Sequence, residues 1–257
     1  MLLRDDVGRI EVVQDPPAFA GRECEGFDAR GTVPPFLRPG VAFDHASRRA
    51  WDQLILRTCG QADWMPAQVL AAIVRAAEHL RGWLPDRGPL EARACALLGR
   101  HAFEHTETPT FDAARMAALF GLVAASVPDG LPRPALPASF GDATLAALTG
   151  LPARLATPVK RYLAARAFGA WCAYQGQGLR TEVAVLAAAL AVLCVEAVRA
   201  ASAAGRSLDA PLLVEALRAA DRLTVHLSSS ERLAQALAPV EHESAREFLA
   251  RFGMMAG

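Results

Sequence analysis

At 257 residues the chain is long enough to bury one large hydrophobic core or two small ones. Its 27 basic residues are matched by 27 acidic ones, so the balance calls for neither a nucleic acid nor an anionic membrane surface as partner. Hydrophobic residues reach 53%, inflated by alanine, while aromatic and β-branched residues are sparse. Such a composition selects helices over strands, and predicts an all-α, irregular multi-helix bundle.

All but one of the basic residues are arginine, the skew of a GC-rich coding sequence that also favours alanine and glycine. Arginine abundance is therefore no signal for phosphate binding. The five cysteines, Cys24, Cys59, Cys95, Cys172 and Cys194, are scattered, odd in number and without a C-x-x-C pair, which supports neither a disulfide framework nor a metal site. Acids occupy the first residues where a secretory signal would place its apolar core, and a cytoplasmic location is the expectation.

In chain order, residues 2–13 alternate loosely around Gly8 and predict a small β-hairpin. From Pro16 to Gly40 the density of Pro and Gly forbids a continuous helix, so residues 1–45 are read as an extended N-terminal segment anchored by Cys24, Phe27, Phe36 and Phe43. Residues 46–126 form a first helical half. Asp44 is suited to cap a helix reaching Gly60, with Trp51, Leu54, Ile55 and Cys59 on one face. Pro66 opens a second helix, whose stripe includes Val69, Ile73, Leu80 and Trp83. A third spans 90–104, and a fourth follows Thr110 as N-cap.

Four prolines between residues 127 and 139 mark a linker, beyond which residues 140–257 make a second helical half. The two halves form either one domain or two. Helices are predicted at 142–148, 158–174, 181–203, 209–227, 230–238 and 241–252, with Pro158 in a first turn and Gly205 as a stop. The run from Val183 to Val195 is too short for the ~20 apolar residues that span a bilayer, and reads as a buried central helix. No membrane partner is expected.

The segment from Lys160 to Gly178 gathers the only lysine and both tyrosines beside that central helix. Arg161, Tyr162, Arg166, Phe168, Trp171 and Tyr174 include spacings of three and four that place several on one broad helical face, ahead of Gln175-Gly176-Gln177-Gly178. Tyr and Trp join apolar area to one hydrogen-bonding group, and Arg grips a carboxylate in bidentate fashion, so Arg161, Tyr162, Arg166, Trp171, Tyr174 and Gln175 are the candidate ligand-binding residues. The alternative is that these aromatics fill space between alanine-rich helices.

Three further groups stand out. His101 and His105 lie one helical turn apart, with Glu104 and Glu107 nearby, as the weak candidate for a metal site; the base position of a zincin motif holds Ala102. His226 ends an amphipathic helix before three serines and reads as a C-terminal helix cap. Arg232, Glu241, His242 and Glu243 read as a solvated face.

The order from Arg161-Tyr162-Leu163 through Phe168 and a Gly-containing loop continues into an apolar helix with Leu186, Leu190 and Leu193. Ser207-Leu208-Asp209 then introduces a helix carrying Leu212, Leu213, Ala216 and Leu217 that closes on His226. This order resembles the C-terminal helical region of the flagellin lysine-N-methylase family, over roughly residues 159–233. The resemblance implies an iron–sulfur centre on an N-terminal cysteine cluster, and methyl transfer from S-adenosylmethionine. Here only Cys24 stands where a cluster would begin and the next cysteine is Cys59, whereas such a centre needs several converging thiolates. No cofactor is therefore expected, and what carries over is a fold and a substrate-side surface. The resulting expectation is a non-catalytic module binding a small molecule or a protein. The alternatives are a diverged S-adenosylmethionine-dependent or metal-dependent enzyme, and a structural homo-oligomer subunit.

Overall fold

In the structure, a computed structural model describing residues 33, 35–99, 112–149, 153–168 and 176–254, the first element is a short antiparallel hairpin. Strands β1 (Phe36–Arg38) and β2 (Val41–Ala42) pair Phe36 with Ala42 and Arg38 with Val41. Pro39 and Gly40 connect them, and Gly40 adopts φ +76°, a conformation that favours glycine. The hairpin anticipated at residues 2–13 lies outside the described residues; these strands form in the segment expected to be merely extended. Leu37 and Phe43 are buried and fasten the hairpin to the helices.

Ten α-helices follow among the described residues, so the all-α expectation holds. Asp44 caps α1 (His45–Cys59), accepting from the Ser47 amide at 2.9 Å, and Pro66 occupies the first turn of α2 (Pro66–Arg81). Next come α3 (Leu90–Gly99) and α4 (Ala113–Ala125). The α4 cap is Asp112, whose carboxylate accepts from the Arg115 amide at 2.7 Å, two residues beyond the predicted Thr110.

The proline-rich stretch carries no regular helix or strand and leads to α5 (Asp142–Thr149). Helix α6 (Ala153–Phe168) begins upstream of its predicted start and holds Pro158 in its interior. The reason is an apolar stripe that starts early: Leu155 and Val159 are buried along with Leu163, and their burial offsets the one helical hydrogen bond that proline forfeits.

The central element is α7 (Leu179–Ala204), which packs against α2, α4, α6, α8 and α9. It has 26 residues, and an 18-residue window within it, of mean hydropathy 2.2, is long and apolar enough to cross a membrane, yet 78% of that window is buried inside the fold, as in a core helix. Gly205 stops it with φ +61°. Helix α8 (Ala210–Asp221) is capped by Asp209, but the continuous helix predicted to residue 227 becomes a π-helical turn at Arg222–Leu227. Thr224 Oγ1 donates back to the Ala220 carbonyl at 2.8 Å and Ser228 Oγ to the Thr224 carbonyl at 3.2 Å. Such back-bonds compete with the regular helical ladder.

Ser229 caps α9 (Ser230–Leu237), a 3-10 turn spans Ala238–His242, and α10 (Ala245–Arg251) starts later than predicted because Ser244 and Glu247 form a capping box. One contiguous hydrophobic core includes Trp51, Ile73, Phe120, Leu163 and Leu190 and thus runs through both sides of the proline-rich stretch.

Candidate functional site

Helix α6 carries the sequence-predicted residues that can be placed. Tyr162 is almost completely buried, Arg161 and Arg166 are half-buried, and Phe168 is exposed, so these side chains do not form one open face. Trp171, Tyr174 and Gln175 lie outside the described residues, as do His101 and His105. Burial pushes the Tyr162 phenol up to about 12, with smaller opposing contributions from nearby Arg166 and Thr224. Its hydroxyl is buried and finds no hydrogen-bond partner of normal geometry, although the Thr224 hydroxyl, which donates to the Ala220 carbonyl, is a neighbour. Tyr162 therefore sits in a packing position, the less specific of the two readings open to it.

Lys160 is buried too, and its role is legible. Its ammonium donates to the Gln61 and Ala62 carbonyls just past α1, a cation placed where a helix terminus concentrates negative potential. Desolvation lowers its pKa, while nearby Cys59 and Asp63 oppose that shift.

Of the predicted residues, Arg166 lines a cavity of about 10 Å³ together with Trp51, Ile55, Ile73, Glu182 and Val183. That volume is on the scale of one water molecule and excludes an organic ligand. Arg166 Nε is buried there without a hydrogen-bond partner.

Beside this cavity lies a charge cluster that the sequence reading did not identify. It is built around the N-terminus of α7. The Glu241 carboxylate accepts from the Thr181 amide at 2.8 Å and its hydroxyl at 3.1 Å, and pairs with Arg81. Arg81 also donates to the Glu241 carbonyl at 3.1 Å and the Leu37 carbonyl at 3.3 Å, which ties the hairpin, α2 and the C-terminal region together. Arg180 grips Glu78 through two bonds of 2.6 Å, donates to the Glu243 carbonyl at 2.5 Å and lies 4.9 Å from the centre of the Phe248 ring. Glu182 pairs with Arg48 at 2.5 Å and accepts from the Trp51 indole at 3.4 Å.

Glu241 thus departs from the solvated face expected of it: it is buried, because its carboxylate is the N-terminal cap of α7. A partial signal was present in Glu182, an acid immediately preceding thirteen apolar residues. Asp52 lies beside this cluster at 3.1 Å from Arg48. Desolvation pushes its pKa up to about 6; Arg48 pulls it down, and Glu182 pushes it further up.

The described cysteines do not fit an iron–sulfur centre. Cys59 is buried at the end of α1, Cys95 is exposed on α3 and Cys194 lies within α7. Burial pushes the Cys59 thiol up to about 12 despite the nearby Lys160, away from the thiolate form that ligates metal. Among the described residues no three His, Cys, Asp or Glu side chains converge as a metal site.

A second region has room for a ligand. An open groove of about 490 Å³ runs between Pro132–Pro134 on one wall and α8 with its π-helical turn on the other, and four arginines, Arg133, Arg199, Arg218 and Arg222, line it. Comparison with protein-family models, curated proteins and solved structures finds no match to this chain.

Proposed function

We propose that this chain is a cytoplasmic, non-catalytic helical module that binds a partner through its surface, related in the order of its elements over about residues 159–233 to the C-terminal part of lysine-N-methylase-like proteins. One observation carries this reading. Each buried charged side chain described, Arg48, Lys160, Arg180, Glu182, Glu196 and Glu241, is committed to a partner inside the fold. A general acid or base must be free to exchange a proton with a substrate, and a buried carboxylate that caps a helix while neutralising an arginine is not. The interior charges hold elements together, and the volume open to a ligand lies at the surface, in the arginine-lined groove and in an open depression beside Pro239, His242 and Arg251.

Isothermal titration with S-adenosylmethionine and a methyl-transfer assay on a lysine-containing peptide test this reading against the enzymatic one. The expected result is no saturable heat and no transfer. Saturable binding with turnover that is lost in Arg166→Ala would overturn it.

A further inference from the structure

We infer that the groove between Pro132–Pro134 and the α8/π-turn wall is a docking site for a short acidic segment of a partner protein that interleaves Asp or Glu with apolar residues. This rests on the binding-module reading and supplies its surface and ligand class.

The arginines divide into two groups. Arg133 pairs with Asp129 at 2.9 Å, and Arg199 pairs with Glu196 at 3.0 Å while donating to the Ala135 carbonyl at 2.7 Å. Glu196, the one acid lining the groove, is thereby neutralised. Arg218 and Arg222 are exposed, and their guanidinium groups have no counter-ion or hydrogen bond among the described residues. Four residues apart across the α8 to π junction, they are neighbours of like charge, an arrangement that destabilises a helix unless an anion answers it. Two guanidinium groups on adjacent turns match successive carboxylates of an extended or helical peptide, each in bidentate fashion.

The walls are built for an amphipathic ligand. Leu223 and Leu227 line the groove, and Leu131 and Leu136, which flank Pro132–Pro134 in the chain, and Val225 of the π-turn are exposed large apolar side chains. The proline-rich wall is stiff: its prolines fix φ, and it is fastened to α7 through Arg199 and through the Ser139–Ser202 hydroxyl pair at 2.9 Å. A wall set before binding loses little entropy on binding. The other wall is a π-helical turn, a local irregularity that frequently marks functional positions.

Charge and size select the occupant. A nucleic acid would need aromatic platforms or a broad basic surface, and the groove lining has no aromatic residue in a chain of zero net charge. An inorganic phosphate would fill a small part of about 490 Å³ and leave the apolar lining of Leu223 and Leu227 unused.

Fluorescence anisotropy tests this with a labelled short peptide alternating Glu and Leu, its Lys-for-Glu counterpart, inorganic phosphate and a single-stranded oligonucleotide. Saturable binding of the acidic peptide is expected, weakened by salt and absent for the basic counterpart. Arg218→Ala/Arg222→Ala should weaken it by roughly tenfold or more, while Arg49→Ala/Arg57→Ala, which removes equal charge from exposed positions on α1, leaves it within about twofold. All four positions are exposed, so unchanged melting temperatures verify that the fold persists. Equal affinity in the two double variants, equal binding of the basic peptide, or displacement of the peptide by phosphate or oligonucleotide at matched concentration overturns the proposal. Turnover with S-adenosylmethionine would sink the non-catalytic reading and leave the groove standing; a wild-type protein indifferent to the acidic peptide sinks the groove alone.

Discussion

Gly178 immediately precedes α7 with φ −85° and ψ 178°, an extended conformation open to any residue, so alanine there carries no backbone penalty. The penalty is steric. A Cβ at this position would lie 2.4 Å from Glu241 Oε2, 2.6 Å from its Cδ and 2.7 Å from Oε1. A carboxylate at the end of a flexible side chain can ordinarily swing aside at little cost. This one is held by the Thr181 amide, the Thr181 hydroxyl and Arg81, and swinging it away would leave the partly buried Arg81 with only its longer 3.7 Å ion pair to Glu78 and the Thr181 amide uncapped, at about 2–4 kcal/mol. Shifting the backbone instead resembles overpacking, at about 1–3 kcal/mol. The cheaper response decides, and alanine recovers about 0.4–1 kcal/mol by restricting the unfolded chain. Gly178→Ala should therefore destabilise by about 1–2 kcal/mol, a melting temperature lower by roughly 2–8 °C for a chain of this size. Two comparisons in thermal and urea unfolding isolate the cause. Gly121→Ala on α4, where an added Cβ meets nothing within 4 Å, should stabilise by about 0.5–1 kcal/mol. In a Glu241→Ala background the colliding atoms are gone, so Gly178→Ala should become neutral or stabilising. If Gly178→Ala matches Gly121→Ala in the wild-type background, or its cost is unchanged by Glu241→Ala, the close-packed cap does not exist.

Asp52 has a folded pKa raised to about 6 from an ordinary 3.8, so the folded state holds its proton more tightly, and the stability linked to that proton is lost as pH rises through about 6. Replacing it with asparagine removes this loss. The melting temperature of Asp52→Asn relative to wild type should grow more positive between pH 5 and pH 7.5, whereas a pH-independent difference would refute the shift. Lys160→Met keeps the stem and leaves the Gln61 and Ala62 carbonyls without their cation; a cost of about 1–3 kcal/mol in urea unfolding is expected, and a neutral result would mean that solvent satisfies those carbonyls. Glu182→Ala removes the most buried counter-ion of Arg48, which keeps only Asp52 at 3.1 Å, and should cost about 2–4 kcal/mol, more than Arg133→Ala, whose exposed pair with Asp129 contributes about 1 kcal/mol at most. Comparable costs for the two would contradict the burial assigned to the cluster.

The fold was legible where local chemistry and burial agree. Asp44, Pro66, Asp209 and Gly205 each carry a terminal signal that operates within a few residues, and each sits at the helix end it predicts. Pro158 misled because its fixed φ suits a first turn, whereas the buried Leu155 extends the apolar stripe behind it and tertiary packing outweighs one lost hydrogen bond. The π-helical turn was hidden for a different reason: Thr224 and Ser228 act through side-chain bonds that hydrophobic periodicity does not register. At the site, an aromatic-rich segment drew attention to Tyr162, which is buried, while Glu241 was read as part of a solvated face and Glu78 and Arg81 carried no local signal. Their partners are remote in sequence, Glu78 lying 102 residues from Arg180 and Arg81 lying 160 from Glu241. Only the folded chain brings them to one place.

Why so many charges should enter the core of an alanine-rich bundle follows from what alanine cannot do. Small side chains offer little relief, so sliding α7 along its neighbours by one turn, about 5.4 Å, would trade one set of Ala, Val and Leu contacts for another of similar quality. The same slide would carry Arg180 away from Glu78, Glu182 from Arg48 and the Thr181 amide from Glu241. Each of the first two separations strands a buried charge at about 3–5 kcal/mol, comparable with much of the ~5–15 kcal/mol that holds a domain folded, and the third uncaps α7. The ion pairs add little net stability to the correct register because desolvation consumes most of their attraction. Their effect falls on the alternatives, and in a helix apolar enough to slide or to enter a membrane, it is the penalty on alternatives that fixes one position.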